Sequence, residues 1–286
     1  APSLAKVESN LTQLFAESLH GARPGAKIDD LGYAGFTDSL VEGLDADRLR
    51  QVFATADSKG PGSRQPRLYA AQSPVMILAN TMAPWLDDLG SLAVRGQSGY
   101  RDLRFEIRMP TVGDEGGLWL PGLLISPNRI VGIESETTDY LSGHRVSFGE
   151  QAEAFWTDRE ENGWRREMLA LQQGNHGYSR LDAARLIKQY MGLRSLLDSL
   201  VDDDTPSVPG SLLYLFWEPL NAARYEEFDE HHKEIELFQA AVADADIDFV
   251  PMSYLDLWAS WSRDDNAPKW LAMHVARLHQ RYSMRI

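Results

Sequence analysis

The 286-residue sequence contains no cysteine. Disulfide bonds, zinc sites built on thiolates and cysteine nucleophiles are therefore excluded. It also lacks an apolar run of the length that a membrane span needs, and no signal-peptide pattern opens it. We therefore expect a protein without a membrane partner that resides in the cytoplasm, a compartment in which disulfides are rare.

Basic residues are scarce relative to acidic ones. The chain has 28 Lys and Arg against 42 Asp and Glu, which gives a formal net charge of −14. Because phosphate binding depends mainly on Lys and Arg, this balance counts against a large nonspecific nucleic-acid surface. A local basic cleft stays possible, since the middle of the chain, from Arg101 to Arg185, is relatively rich in arginine. A solvated acidic surface is the commoner meaning of such a charge balance.

Several enzyme motifs are also missing from the sequence. The G-x-S-x-G pattern of a nucleophile elbow does not occur, so a Ser–His–Asp hydrolase has no support. Neither a phosphate-binding loop nor a dinucleotide fingerprint is present. Nucleotide-dependent enzymes of those two kinds therefore have no support either.

Hydrophobic periodicity predicts an α/β protein. A first helix is predicted over residues 2–20, and a second is capped by Thr37. A third, buried helix is predicted over residues 73–89 and is interrupted at Pro84. A capping box at Ser179 and Asp182 predicts the start of another helix. Strands are predicted at residues 103–109, 118–125, 130–133, 211–216 and 247–252. This order favours one mixed sheet with helices on both faces, in a domain of residues 71–286. Residues 1–70 form a helical extension packed on or beside that domain.

The chemistry is concentrated in residues 116–140, where two apolar runs flank a turn at Pro127. This pattern predicts a β-hairpin buried on both faces, whose second strand ends in Glu134-Ser135-Glu136. Strand side chains alternate with period two, so Glu134 and Glu136 point to the same face. Carboxylates in this arrangement are candidate Mg²⁺ ligands. The alternative interpretation is a solvated strand end without a metal.

Several segments together resemble a bacterial restriction endonuclease family of the PD-(D/E)xK nuclease superfamily. The resemblance runs in family order over about residues 70–262. The matching segments are SPVMILANTMAPW at 73–85, FEIRMPT at 105–111, GIES at 132–135, LDAARLIK at 181–188, LYLFWEP at 213–219 and FVPMSYLDLWASW at 249–261. The resemblance implies a three-layer α/β/α restriction-endonuclease-like core with added N-terminal helices, dependence on Mg²⁺ or Mn²⁺, and DNA as the substrate.

The family's active-site residues are only partly present in this chain. The position of the family's metal-binding Asp holds Pro121, which cannot ligate a metal, whereas the family's Glu is retained as Glu134. The Lys two residues further on is replaced by Glu136, which reverses a charge. On the downstream helix the Gln position holds Arg185, and Lys188 retains the Lys. The resemblance therefore implies a nuclease scaffold with a degenerate catalytic centre.

Two hypotheses follow. The first is a noncatalytic protein that binds DNA or a protein partner in a bacterial defence or nucleic-acid-processing context. The second is a working Mg²⁺- or Mn²⁺-dependent endonuclease with a rearranged site. In it Glu134, Glu136 and Lys188 act in catalysis, and Glu134, Glu136 and Asp114 bind the metal, with Glu106 as a further candidate. For Lys188 the alternative is a surface lysine on an amphipathic helix.

One geometric criterion separates the hypotheses. A working site requires carboxylates from two strands to converge on one cation, whereas an ion pair between Glu136 and an arginine such as Arg129 or Arg185 makes the charge reversal structural. His231 and His232 also invite a metal interpretation, with Glu236 one turn from His232. No further ligands are apparent from the sequence, so a solvated helix face is the favoured interpretation.

Overall fold

The computed structural model describes residues 4–29, 32–56, 69–109, 118–201 and 208–286. None of the helices in these ranges combines the length and apolar composition that a bilayer crossing requires. The elements are α1 Leu4–Ala22, α2 Phe36–Ser39, α3 Ala46–Ala56, α4 Pro74–Met82, β1 Asp102–Arg108, β2 Trp119–Ser126, β3 Arg129–Glu136, α5 Glu150–Phe155, α6 Gly163–Gln172, α7 Ala183–Ser199, β4 Gly210–Phe216, α8 Glu226–Ala241, β5 Ile247–Ser253, α9 Tyr254–Ser262 and α10 Leu271–Tyr282.

The strands form one five-stranded mixed sheet in the order β1-β2-β3-β4-β5. The first three strands run antiparallel to their neighbours, whereas β3, β4 and β5 are parallel. The hairpin predicted around Pro127 joins β2 to β3, and α8 connects the parallel strands β4 and β5. The predicted α/β class with a mixed sheet is therefore confirmed.

Alternate residues of the central strands enter two different apolar clusters. On β4, Leu213 and Leu215 belong to a first cluster, and Leu212 and Tyr214 belong to a second. Helix α4 contributes buried residues to the first cluster and α7 to the second. Because β4 is buried along its whole length, its sequence reads as a continuous apolar run rather than an alternating one.

The N-terminal helices share the first apolar cluster with the rest of the chain. The ring of Phe15 on α1 lies 4.8 Å from that of Trp217, just after β4. The buried guanidinium of Arg281 on α10 donates hydrogen bonds to the carbonyls of Phe15, at 3.0 Å, and Ala71, at 2.7 Å. Helix α1 is thus held to α10 by both apolar packing and hydrogen bonds to the main chain.

The prediction of one continuous helix capped by Thr37 is wrong, because the structure has two helices and the first begins before Thr37. Helix α2 begins at Phe36, ends at Ser39, and is separated from α3 by residues 40–45. The buried side chain of Asn80 accounts for the break. Its Oδ1 accepts from the Val41 amide at 2.7 Å and its Nδ2 donates to the Ser39 carbonyl at 3.0 Å. These contacts occupy main-chain groups that a continuous helix would need.

The capping box predicted at Ser179 is also wrong. Helix α7 begins at Ala183, and its N-cap is Asp182, whose Oδ1 accepts from the Arg185 amide at 2.9 Å. Ser179 instead donates through its amide and hydroxyl to the carboxylate of Glu234 on α8. The capping side chain is therefore the acidic residue of the motif, three positions later than predicted.

Candidate functional site

The candidate site lies at the carboxyl end of β3, where the sequence places Glu134 and Glu136. Both carboxylates are buried, with Glu134 1% and Glu136 4% exposed. In the parallel register with β4, Glu134 pairs with Tyr214 and Glu136 with Phe216. Both acidic side chains line one narrow cleft, so the predicted common face is confirmed.

Helix α7 supplies the partners of Glu134. An Nη2 of Arg185 lies 2.8 Å from Oε1 of Glu134, and Nε of Arg185 lies 4.0 Å from Oε1 of Glu136. One turn further along the helix, Gln189 donates through Nε2 to Oε2 of Glu134 at 2.6 Å and to the carbonyl of Trp119 at 2.9 Å. Glu134 is therefore paired with a guanidinium and an amide from one helix face.

The burial of these groups shifts their proton affinities. Burial raises the pKa of Glu134, and the nearby Arg185 guanidinium partly opposes the rise. Burial raises the pKa of Glu136 well above its usual value, because Arg185 is further away and Glu134 adds repulsion. The attraction of Glu134 raises the pKa of Arg185, so the guanidinium stays charged. The favoured state is an ionised Glu134–Arg185 pair beside a Glu136 carboxyl that resists ionisation.

The strand that should supply the second metal ligand presents proline. The antiparallel ladder between β2 and β3 ends with Gly122 paired to Ile133. Continuing that register by one residue places Pro121 beside Glu134. This is the position at which the family resemblance expects an Asp. A pyrrolidine ring offers no oxygen to a cation, so β2 adds nothing to the charge of the site.

The sheet is also irregular on β1, at the residue that lies across from Pro121. On β1, Phe105 belongs to the first apolar cluster, whereas Ile107 packs against the second, so the alternation breaks at Glu106. Glu106 has a φ of 50°, in the left-handed region that a strand residue rarely adopts. In the ladder with β2, Glu106 stands where its partner would be Pro121. Since proline has no amide hydrogen, this position cannot form a regular ladder.

Lys188, the remaining catalytic candidate that the structure describes, does not line the cleft of the carboxylates. The Nζ of Lys188 lies 5.9 Å from the ring centre of Phe148, and Lys188 is not among the residues that line the cleft. Gln189, which the sequence analysis did not single out, takes the contact with Glu134 instead. Its i, i+4 spacing from Arg185 was the available signal. Asp114 lies outside the residues that the structure describes.

A buried aromatic network behind the carboxylates was also missed. His231 on α8 is fully buried, with Nε2 2.9 Å from the hydroxyl of Tyr214 and its ring stacked 4.0 Å from that of Tyr140. Burial lowers the pKa of His231 to about 3. The predicted solvated face is therefore wrong for His231. The prediction describes His232 better, because this side chain is half-exposed and its Nε2 lies 2.9 Å from a carboxylate oxygen of Glu218.

The spacing of apolar residues on α8 could have located His231. The buried positions Phe228, His231, Ile235 and Phe238 recur at intervals of three and four, which is the pattern of the inward face of a helix. A histidine in that series belongs to the core unless other ligands surround it. The adjacent His232 falls outside the series.

The donor set does not fit a divalent cation. Mg²⁺ requires near-octahedral oxygen coordination, usually with carboxylates and several waters. Among the described residues, the two carboxylates Glu134 and Glu136 come from a single strand, the guanidinium of Arg185 lies 2.8 Å from Glu134, and the cleft is too narrow to admit a water molecule. Within the described part of the chain, no group of three or more His, Asp or Glu side chains is placed to hold a metal ion.

Comparisons with protein-family models, with curated proteins and with solved structures found no match to this chain. The geometry of the site therefore carries the functional argument.

Proposed function

We propose that this chain has a three-layer restriction-endonuclease-like core whose catalytic centre is degenerate, and that it acts by binding DNA or a protein partner without cleaving it. The mixed sheet with α4 on one apolar cluster and α7 on the other supports the fold part of this proposal. The family resemblance suggests a bacterial defence or nucleic-acid-processing context.

The ion pair between Arg185 and Glu134 is the observation that carries the proposal. The guanidinium neutralises the buried carboxylate, as a bound cation would, while Gln189 donates to its second oxygen. It cannot lower the pKa of a coordinated water or polarise a phosphate as a Lewis acid. The pair thus retains the electrostatic balance of a metal site without its reactivity.

The same geometry counts against the alternative of a rearranged Mg²⁺- or Mn²⁺-dependent endonuclease. That hypothesis requires Glu134 and Glu136 to be available to a cation and Lys188 to act on a bound water. Glu134 is instead paired with Arg185 and Gln189, and Lys188, whose ammonium lies 5.9 Å from the ring centre of Phe148, does not line the cleft. Burial and the neighbouring Glu134 raise the pKa of Glu136, so this carboxyl would have to give up its proton to ligate a cation.

The edge strand offers a place for nucleic acid to bind. Arg101, Arg104 and Arg108, on or next to β1 at the edge of the sheet, are exposed. Arg104 is paired with Asp102, whereas Arg101 and Arg108 make no ion pair with any described residue. Exposed arginines on an edge strand can contact phosphates, and binding of that kind weakens steeply with salt.

The proposal is tested by assaying cleavage and binding on the same DNA. Supercoiled plasmid is incubated with wild type and Glu134→Ala in Mg²⁺ and in Mn²⁺, and a labelled duplex is titrated with wild type and with Arg101→Gln/Arg108→Gln. We expect equal background nicking for wild type and Glu134→Ala. If DNA is the partner, we expect salt-sensitive binding that the double arginine variant weakens. Cleavage by wild type that Glu134→Ala abolishes would establish the alternative.

A further inference from the structure

A second cleft lies on a different part of the molecule. It is formed by residues 42–49, by the chain just after α4 and by one face of α10, and it encloses about 350 Å³. That volume is in the range of small-molecule sites. None of its lining residues belongs to the cleft around Glu134, so its role is independent of the proposed function.

One face of α10 brings three chemically different groups into this cleft. Trp270, His274 and Arg277 follow at intervals of four and three residues and all line it. At a rise of 1.5 Å per residue, Trp270 and Arg277 are about 10 Å apart along the helix axis. The indole of Trp270 is 37% exposed, and Leu44, Pro84 and Leu86 supply apolar walls. An aromatic surface at one end thus faces a guanidinium at the other.

Arg277 lines the cleft without a charge partner among the described residues. It makes no hydrogen bond or ion pair with any residue that the structure describes, although the protein is strongly acidic. The backbone of Gly43, at a φ of 88°, packs against it so closely that a Cβ there would lie 2.7 Å from Nη1. An unpaired guanidinium in a cleft is suited to a carboxylate or another anion.

The histidine between them adds an unsatisfied polar atom. His274 is buried. Burial lowers the pKa of His274 to about 4, so the ring is neutral at pH 7, and its buried Nε2 has no hydrogen-bond partner among the described residues.

The acidic residues around the cleft limit the charge of the ligand. Asp87 is neutralised by its ion pair with Arg48, and Asp45 accepts hydrogen bonds from the first amides of α3. Glu42 and Asp45 still line the cleft as exposed carboxylates. A dianionic phosphate would be repelled by these charges, whereas one carboxylate at Arg277 would be tolerated.

We infer that this cleft binds a small aromatic carboxylate, with its ring against Trp270 and its carboxylate on Arg277. The apolar walls recognise the ring, and the guanidinium fixes the opposite end. A nucleoside monophosphate has a similar length, but Glu42 and Asp45 would repel its second negative charge.

The inference is tested with a matched pair of probes, N-acetyl-L-tryptophan and its neutral amide, because they differ only in the carboxylate. Binding is followed by two-dimensional NMR of labelled protein, with the Trp270 indole signal assigned from Trp270→Phe. We expect saturable shifts of that signal with the acid, and an affinity about tenfold lower with the amide, since one charge-assisted hydrogen bond is lost. Adenosine monophosphate should bind less well than the acid.

The variants decide which residues are responsible. Arg277→Gln should weaken binding of the acid about tenfold and leave the amide unchanged. Arg263→Gln, an exposed arginine on the end of α9, serves as the control and should change neither. Equal binding of acid and amide, no saturable shift with either probe, or an Arg277→Gln variant that binds the acid as wild type does would overturn the inference. These results do not depend on whether the chain cleaves or binds DNA.

Discussion

The guanidinium of Arg185 lies 2.8 Å from the carboxylate of Glu134, so the charge of this buried acid is neutralised inside the protein. Glu134 is almost fully buried, whereas the side chain of Arg185 is 39% exposed. Gln189 satisfies the second carboxylate oxygen and ties the pair to the carbonyl of Trp119 on β2. A pair of this kind stabilises the junction of sheet and helix and occupies the Glu134 carboxylate that a metal would need.

Replacing Arg185 by alanine should destabilise the fold. Removing one partner of a buried ion pair costs about 3–5 kcal/mol, and the partial exposure of Arg185 reduces this to about 2 kcal/mol. Urea unfolding of wild type and Arg185→Ala measures the difference. Arg263→Ala, at an exposed arginine on α9, is the control and should change the free energy of unfolding by less than about 0.5 kcal/mol.

A double-mutant cycle isolates the interaction between the two residues. Glu134→Gln should remove most of the cost of Arg185→Ala, because no buried charge is then left without a partner. We expect a coupling free energy of about 1–3 kcal/mol. Additive effects of the two substitutions would show that Arg185 acts through packing alone.

His231 should make the protein sensitive to acid. Its folded-state pKa of about 3 lies below the ordinary value of 6.5, so the folded protein binds fewer protons than the unfolded chain between these pH values. The stability contributed by the neutral ring is fully present above pH 6.5 and is lost as the pH falls toward 3.

Unfolding free energies measured from pH 4 to pH 6 test this expectation. The slope for His231→Phe should be smaller than that for wild type by about 1.4 kcal/mol per pH unit. His274, whose pKa is lowered to about 4, remains in both proteins and retains its own contribution. Identical slopes would mean that His231 titrates normally in the folded state.

Asn80 should be critical for the attachment of the N-terminal region. Its side chain binds the main chain of Ser39 and Val41 and donates to the hydroxyl of Tyr282 at 2.7 Å. Asn80→Ala leaves these buried groups unsatisfied, and we expect a loss of about 2–4 kcal/mol. Faster hydrogen exchange at the Val41 amide would locate the effect, and exposed Asn266→Ala provides the comparison. A loss below about 0.5 kcal/mol would show that the bonds are dispensable.

Much of the fold was predictable because its elements have strong local patterns. The apolar runs around Pro127 predicted the hairpin of β2 and β3. Pro84 correctly marked the change from α4 to a 3₁₀ segment. These features depend on residues that are close in sequence, so a single sequence contains the information.

The errors involve side chains that act over long separations. The break between α2 and α3 depends on Asn80, about forty positions away. Ser179 donates its hydroxyl hydrogen bond to Glu234 and does not cap the helix that follows it. At the site, the position of Glu134 was predictable from the strand pattern. The choice of Arg185 and Gln189 over Lys188 depends on how α7 is rotated against the sheet, which periodicity does not fix.

Titration of Mn²⁺ into wild type and Glu134→Gln by isothermal calorimetry tests the central claim most directly, because it asks whether the carboxylates of β3 hold a divalent cation at all. With Arg185 paired to Glu134, we predict the same weak, non-saturating heats for both proteins. Saturable binding of one Mn²⁺ by wild type that Glu134→Gln abolishes would show that the cation displaces Arg185, and would contradict the account of a degenerate site.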